Sequence, residues 1–275
     1  MLVAAGDIAC NPINPRFNSQ NGTTTACRQR ATSDLIGALR PTAVMPLGDT
    51  QYQRGTYSGY LGSYAPTWGR FLSITHPVVG NHEYQSPNAQ GYYRYFGAAA
   101  GDPNKGYYSF DVGTWHVVVL NSECKFVGGC SAGSAQERWL RSDLAAHPAH
   151  CTLAAWHEPR WSSGEHGTNP IFDAFWRDLY AAGADIVLNG HDHDYERFAP
   201  LDPSGRVDAQ RGIREFVVGT GGDGLRPSRN IAFGSEVRAN TTFGVLALTL
   251  GPAGFDWRFV PAKSGFTDSG HGDCH

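Results

Sequence analysis

Asp185-Ile186-Val187-Leu188 runs directly into Asn189-Gly190-His191-Asp192-His193. The apolar run reads as a buried strand. Gly190 breaks it and allows a tight turn. Two histidines two residues apart then leave the carboxyl end of a strand, where open α/β sheets place their ligand sites. Neutral imidazole is a common metal ligand. Taken alone, the same stretch also fits two loop histidines bonded to carboxylates, so the remainder of the chain has to decide.

Working outward, the same arrangement recurs. Leu2-Val3-Ala4-Ala5 ends at Gly6-Asp7, and Ala43-Val44-Met45-Pro46-Leu47 ends at Gly48-Asp49. Between them, residues 26–39 have helical spacing at Ala31, Leu35, Ala38 and Leu39, and Pro41 ends the helix. Strand, helix, strand predicts a parallel βαβ unit with Asp7 and Asp49 at one sheet edge. His76-Pro77-Val78-Val79 is expected as a third strand, ending at Gly80-Asn81-His82-Glu83. Thr152-Leu153-Ala154-Ala155-Trp156 is another, ending at His157. Helices are expected over residues 57–71, 134–146 and 169–182. The second has Ser134 as N-cap and Glu137 completing a capping box; the third has Pro170 in its first turn. Residues 107–111 and 115–120 read as a hairpin. Residues 213–218, 243–250 and 255–260 read as a closing β region. With no repeat or linker, residues 1–275 are expected to form a single α/β domain.

Composition excludes several classes. The 275 residues carry a net charge of −3, with Lys and Arg scattered. A nucleic-acid surface is therefore not expected. No apolar stretch reaches membrane-spanning length. The six cysteines include no C-x-x-C pair. They are read as three disulfides, Cys10 with Cys27, Cys124 with Cys130 and Cys151 with Cys274, in an oxidising compartment. The expected location is secreted or periplasmic, with no signal peptide in these residues; free thiols in a cytosolic chain are the competing reading. Asn21-Gly22-Thr23 and Asn240-Thr241-Thr242 match glycosylation sequons.

The five strand tips carry Asp7, Asp49 with Tyr52, Asn81 with His82, His157, and His191 with His193. This carboxylate, amide, imidazole and phenol set suits hard or borderline cations such as Fe, Mn and Zn. It is too large for one tetrahedral ion and suits two ions sharing a carboxylate.

Together these blocks resemble the calcineurin-like metallophosphoesterases, and within them the purple acid phosphatases. The family pattern D-x-G, G-D-x-x-Y, G-N-H-D/E, V-x-x-H, G-H-x-H is matched by Asp7-Ile8-Ala9, Gly48-Asp49-Thr50-Gln51-Tyr52, Gly80-Asn81-His82-Glu83, Ala154-Ala155-Trp156-His157 and Gly190-His191-Asp192-His193. Ala9 stands where most metallophosphoesterases have a histidine ligand, and Tyr52 stands where the purple enzymes supply a phenolate. Ala9 also replaces the purple enzymes' glycine, and Ala154 their valine. The resemblance implies a four-layer α/β/β/α sandwich with two mixed sheets flanked by helices. It implies two metal ions: Fe(III) on Asp7, Tyr52 and His193, and Zn, Fe or Mn on Asn81, His157 and His191, with Asp49 bridging. The implied reaction is hydrolysis of small phosphate esters, phosphomonoesters first, by in-line attack of a metal-bound hydroxide. His82 would bind phosphate or protonate the leaving oxygen, Glu83 would orient His82, and His166 would be a second substrate histidine. His166 also reads as a solvated loop residue, and Tyr52 as a packed aromatic. Phosphodiester or nucleotide cleavage is the close alternative.

Two further motifs compete. Gly219-Thr220-Gly221-Gly222-Asp223-Gly224 matches G-x-G-x-x-G, but Pro227 arrives where the helix should run, so a turn is expected. Gly129-Cys130-Ser131-Ala132-Gly133 matches a nucleophile elbow and would make the chain a serine hydrolase acting through Ser131. No strand leads directly into it.

Overall fold

The computed structural model describes residues 1–275. Its strands are β1 (Leu2–Ala5), β2 (Ala43–Pro46), β3 (Tyr108–Val112), β4 (Trp115–Val119), β5 (Cys151–Ala155), β6 (Ile186–Asn189), β7 (Tyr195–Phe198), β8 (Arg214–Val218), β9 (Ser235–Ala239), β10 (Gly244–Leu250), β11 (Gly254–Pro261) and β12 (Ser269–Asp273). They form two mixed sheets, in the orders β12-β11-β10-β1-β2 and β3-β4-β5-β6-β8-β7-β9. β1 and β2 pair in parallel, as the βαβ pattern predicts, while β10 runs antiparallel to β1.

The period of two along each strand of the second sheet decides which core a residue joins. Trp115, Val117 and Val119 of β4, Leu153 and Ala155 of β5, and Ile186 and Leu188 of β6 belong to a buried cluster of 38 residues shared with the first sheet. Trp115 and Phe255 meet edge-on across this layer, as do Phe216 and Trp257. The intervening Val118, Ala154 and Val187 join a cluster of 16 with Leu140, Phe172, Phe175, Trp176 and Leu179. Those residues belong to the helices Ala135–Ala146 and Asp173–Ala181 and to the turn Pro170–Phe172 leading into the latter, so this helical layer covers the outer face of the second sheet. Ile36, on the helix Gln29–Leu39, packs into the larger cluster. The result is the expected α/β/β/α sandwich.

Several local expectations are corrected. Residues 76–79 are not a strand. Only isolated parallel bridges, Val44 with Thr75 and Leu47 with Val78, attach this segment to the sheet edge. Pro77 has no N–H for a ladder. Residues 57–71 are not one helix but a short turn at Tyr57–Gly59, a π-type turn at Tyr60–Tyr64 and a 3₁₀ segment at Trp68–Ile74. Gly59, Gly62 and Pro66 lower helix propensity there. Ser134 caps its helix through the Glu137 N–H, but Glu137 Oε2 takes the Gly133 N–H at 2.9 Å rather than that of Ser134, so the capping box is displaced by one residue. Three strands had no clear sequence signal. β9 and β12 are sheet-edge strands with alternating exposure, and β7 is four residues long.

All three expected disulfides are formed: Cys10–Cys27, Cys124–Cys130 and Cys151–Cys274. No helix is long and apolar enough to cross a membrane.

Candidate metal centre

Asp7 and Asp49 leave β1 and β2 of the first sheet, and His157 and His191 leave β5 and β6 of the second. The tips therefore meet across the seam between two sheets rather than along one edge. Asp7, Asp49 and His191 all have positive φ, at 60°, 46° and 71°. Such backbone is costly for residues other than glycine and concentrates at functional sites. Here it turns each side chain sharply at the end of its strand. Gly48, at φ +85°, and Gly80 allow the loops to close: a Cβ on Gly48 would lie 2.4 Å from His157 Nδ1, and one on Gly80 2.4 Å from Asp49 Oδ1.

Two groups of side-chain atoms result. In one, Tyr52 Oη donates to Asp7 Oδ1 at 2.7 Å and lies 3.0 Å from His193 Nε2. In the other, His157 Nε2 lies 3.1 Å from Asn81 Oδ1 and 3.3 Å from His191 Nδ1. Asp49 Oδ2 stands between them, 3.2 Å from Tyr52 Oη and 3.3 Å from His157 Nε2. The atoms pointing away are held by backbone. Asp7 Oδ2 accepts the His191 N–H at 2.8 Å, and Asp49 Oδ1 accepts the His82 N–H at 2.9 Å. His157 Nδ1 donates to the Leu47 carbonyl at 2.7 Å, and His193 Nδ1 to that of Gly224 at 2.6 Å. Such outer bonds fix tautomer and ring orientation in metal sites.

With Nδ1 protonated, the Nε2 atoms of neutral His157 and His193 carry no proton and face Asp49 and Asp7, both at 3.3 Å. Lone pairs that close call for a shared cation. Protons are the alternative way to offset these charges. Burial resists charge, yet Asp49 raises His157 well above the usual range, and Asp7 raises His193. Burial and the neighbouring His157 and His166 push His191 down to about 3. Burial, with Asp49 and Asp7, pushes the Tyr52 phenol far up. Protons fill this ligand set only by unequal compromise, whereas bound cations relieve it. The residues present thus fit a metal centre.

His82 borders the group. Its Nε2 is 3.7 Å from Asp49 Oδ2, and its Nδ1 is 2.7 Å from the Gln53 carbonyl oxygen. The His166 ring centroid is 4.0 Å from that of His191, which brings His166 to the site. Its Nδ1 and backbone N–H both meet Asp192 Oδ1, each at 2.9 Å.

Glu83 departs from expectation. It makes no bond to the His82 ring. Its carboxylate is fully buried and accepts backbone N–H groups from Asp49 and Gly80 (Oε2, 2.9 and 2.8 Å) and from Thr50 (Oε1, 2.9 Å). The Thr50 and Tyr60 hydroxyls also reach Oε1. Glu83 therefore joins the Asp49 loop to the Gly80 loop from beneath.

Two supporting acids had no readable signal. Asp192, between the two histidines, is buried and anchors the loop of Ser162 and His166. Asp223 lies in the glycine-rich turn, where its backbone N–H bonds to the Asp7 carbonyl at 2.9 Å, and the next residue holds His193. That turn has no helix after it, so no dinucleotide site forms. Ser131 lies exposed next to the Cys124–Cys130 bridge, and no histidine bonds to its hydroxyl, so the nucleophile elbow is not built.

Comparison with known proteins agrees with this geometry. The family model for calcineurin-like phosphoesterases matches residues 5–195. Purple acid phosphatase 15 of Arabidopsis thaliana is 30% identical over 237 residues, covering 70% of this chain and 42% of that relative. Purple acid phosphatase 23 of the same plant is 31% identical, covering 57% of this chain and 37% of its own. The chain thus spans less than half the length of these curated relatives. Among solved structures, a purple acid phosphatase from yellow lupin (Lupinus luteus) seeds superposes with a TM-score of 0.79 at 18% identity, covering 98% of this chain and 53% of that one.

Proposed function

Because the chain belongs to the calcineurin-like phosphoesterase family and is similar to purple acid phosphatases, we propose that it hydrolyses small phosphate esters, phosphomonoesters first, at a dinuclear metal centre. The supporting observation is the placement of Asp49 Oδ2 between two ligand groups, within 3.3 Å of an atom in each. Asp7, Tyr52 and His193 hold one ion; Asn81, His157 and His191 hold the other; Asp49 is shared. Fe(III) suits the first group, since a phenolate is a hard, anionic donor, and Zn, Fe or Mn suits the second. When bound, such a pair supplies Lewis-acid charge to phosphoryl oxygens and makes water acidic near neutral pH.

The chain's own groups do the rest. His82, steadied through Nδ1 on the Gln53 carbonyl, presents Nε2 to protonate the leaving oxygen. His166, held on Asp192, binds a phosphate oxygen at the rim. Glu83 keeps the Asp49 and Gly80 loops at fixed spacing. Residues 1–275 act as one catalytic unit, and the three disulfides suit a secreted or periplasmic setting.

Elemental analysis with a chromogenic phosphate ester tests this reading. Wild type should carry two ions and turn the ester over. Asp49→Ala should lose both ions and all activity, while His191→Ala should lose mainly one ion. Two ions retained in Asp49→Ala would remove the shared carboxylate and the reading built on it.

A further inference from the structure

At the opposite end of the second sheet lies another group of metal-ligating side chains. His116 sits near the amino end of β4, paired with Thr152 of the parallel β5, whereas the candidate metal centre lies beyond the carboxyl ends. The His116 ring is buried, with Nδ1 3.0 Å from Asp111 Oδ1 and Nε2 2.9 Å from Asp143 Oδ2. His147, one turn after Asp143, has its Nδ1 3.5 Å from Asp143 Oδ1, and its ring stacks on His116 at 4.8 Å. Ser109 Oγ donates to Asp143 Oδ1 at 2.8 Å and orients that carboxylate.

We propose that His116, Asp143 and His147 form a peripheral site for a divalent transition-metal ion of the zinc class. The first reason is charge. Neither Asp111 nor Asp143 has a lysine or arginine partner; their only ion-pair partners are these imidazoles. The two carboxylates together carry the formal charge that one divalent ion cancels. The second reason is hydrogen bonding. A neutral imidazole has one N–H, yet both nitrogens of His116 face carboxylate oxygens. With Nδ1–H donating to Asp111, Nε2 is bare and points at Asp143, and a carboxylate behind a histidine in this way is the usual outer support of a metal ligand. The third reason is the donor set. Two imidazole nitrogens and one carboxylate suit Zn, Co, Ni or Cu rather than Ca or Mg. The His147 side chain is 52% exposed, so it can turn its Nδ1 from the Asp143 carbonyl oxygen, 3.0 Å away, toward the shared ion. Such an ion clips the end of the Ala135–Ala146 helix to the β3–β4 hairpin at the sheet edge.

The holoprotein, with its catalytic metals in place, is titrated with Zn(II) by calorimetry, and bound zinc is counted after desalting. The expected result is one further equivalent on wild type and none on His147→Ala. Zinc should also raise the melting temperature of wild type only. Co(II) added in place of zinc should give a visible ligand-field band that His147→Ala lacks. Turnover of a chromogenic phosphate ester should be equal in the two proteins, which separates this site from the proposed catalytic one. Equal zinc uptake by both proteins, no further equivalent on wild type, or loss of turnover in His147→Ala would each overturn the proposal.

Discussion

Glu83 Oε2 accepts the backbone N–H of Asp49 at 2.9 Å although 34 residues separate them, and the same oxygen accepts the Gly80 N–H at 2.8 Å. One buried carboxylate thus sets the distance between the loop carrying Asp49 and the loop carrying Asn81 and His82. Glu83→Gln places an amide N–H₂ among these donors, leaving at least one N–H unpaired. The expected cost is roughly 3 kcal/mol of stability, the scale of a lost bond to a buried charged group, together with weaker metal retention. Denaturant melts and metal counts measure both. If Glu83→Gln keeps wild-type stability and metal and loses only turnover, Glu83 acts on His82 after all.

His82 Nε2 lies 3.7 Å from Asp49 Oδ2, at the border of the proposed metal centre. His82→Ala should keep its metal and lose about 10²–10⁴-fold in kcat, the usual worth of a general acid. The loss should shrink for esters with good leaving groups. A metal-free His82→Ala would make His82 a ligand instead.

Tyr52 has its hydroxyl 2.7 Å from Asp7 and 3.0 Å from His193, and burial beside Asp7 and Asp49 keeps the phenol protonated unless a cation displaces the proton. Protein loaded with iron and oxidised should therefore be pink to purple from phenolate-to-iron charge transfer, and Tyr52→Phe should be colourless. The substitution removes one hydroxyl, so the fold should persist by circular dichroism. A coloured, iron-loaded Tyr52→Phe would take Tyr52 out of the ligand set.

Stability should also depend on pH at a point away from the metal centre. Asp178, on the helix Asp173–Ala181, is pushed up to about 6 by burial and by the Glu137 carboxylate of the neighbouring helix, against Arg141 and Arg177. Its Oδ2 has no hydrogen-bond partner. In the unfolded chain the group titrates near the ordinary 3.8. The folded form therefore binds the proton more tightly, and stability falls as pH rises from about 4 through about 6. Asp178→Asn removes that penalty. Its melting temperature should exceed that of wild type by a few degrees at about pH 8 and match it at about pH 4. An equal offset at both pH values would show that Asp178 does not titrate as described.

How far the sequence alone reaches is clearest at the strand tips. Asp7, Asp49, His157 and His191 each follow an apolar run within a residue or two, and strand geometry sends whatever follows such a run to the sheet edge. The local pattern was thus enough to single out these four side chains, which the fold brings together, and Cys10 with Cys27 and Cys124 with Cys130 paired as sequence proximity suggested. What tertiary structure alone decided is how these pieces meet. The tips lie on two sheets, because β10 inserts beside β1 while β4, β5 and β6 build a separate sheet. Asn81 and His82 reach the site from bridges too short to be a strand. Glu83, Asp192 and the turn containing Asp223 took their places through bonds to groups 34, 26 and 216 residues away. Hydrogen-bond partners of buried carboxylates are chosen by three-dimensional proximity and by the cost of leaving any N–H unpaired. Neither quantity has a period or a spacing along the chain, so no reading of the sequence by pattern could have assigned them.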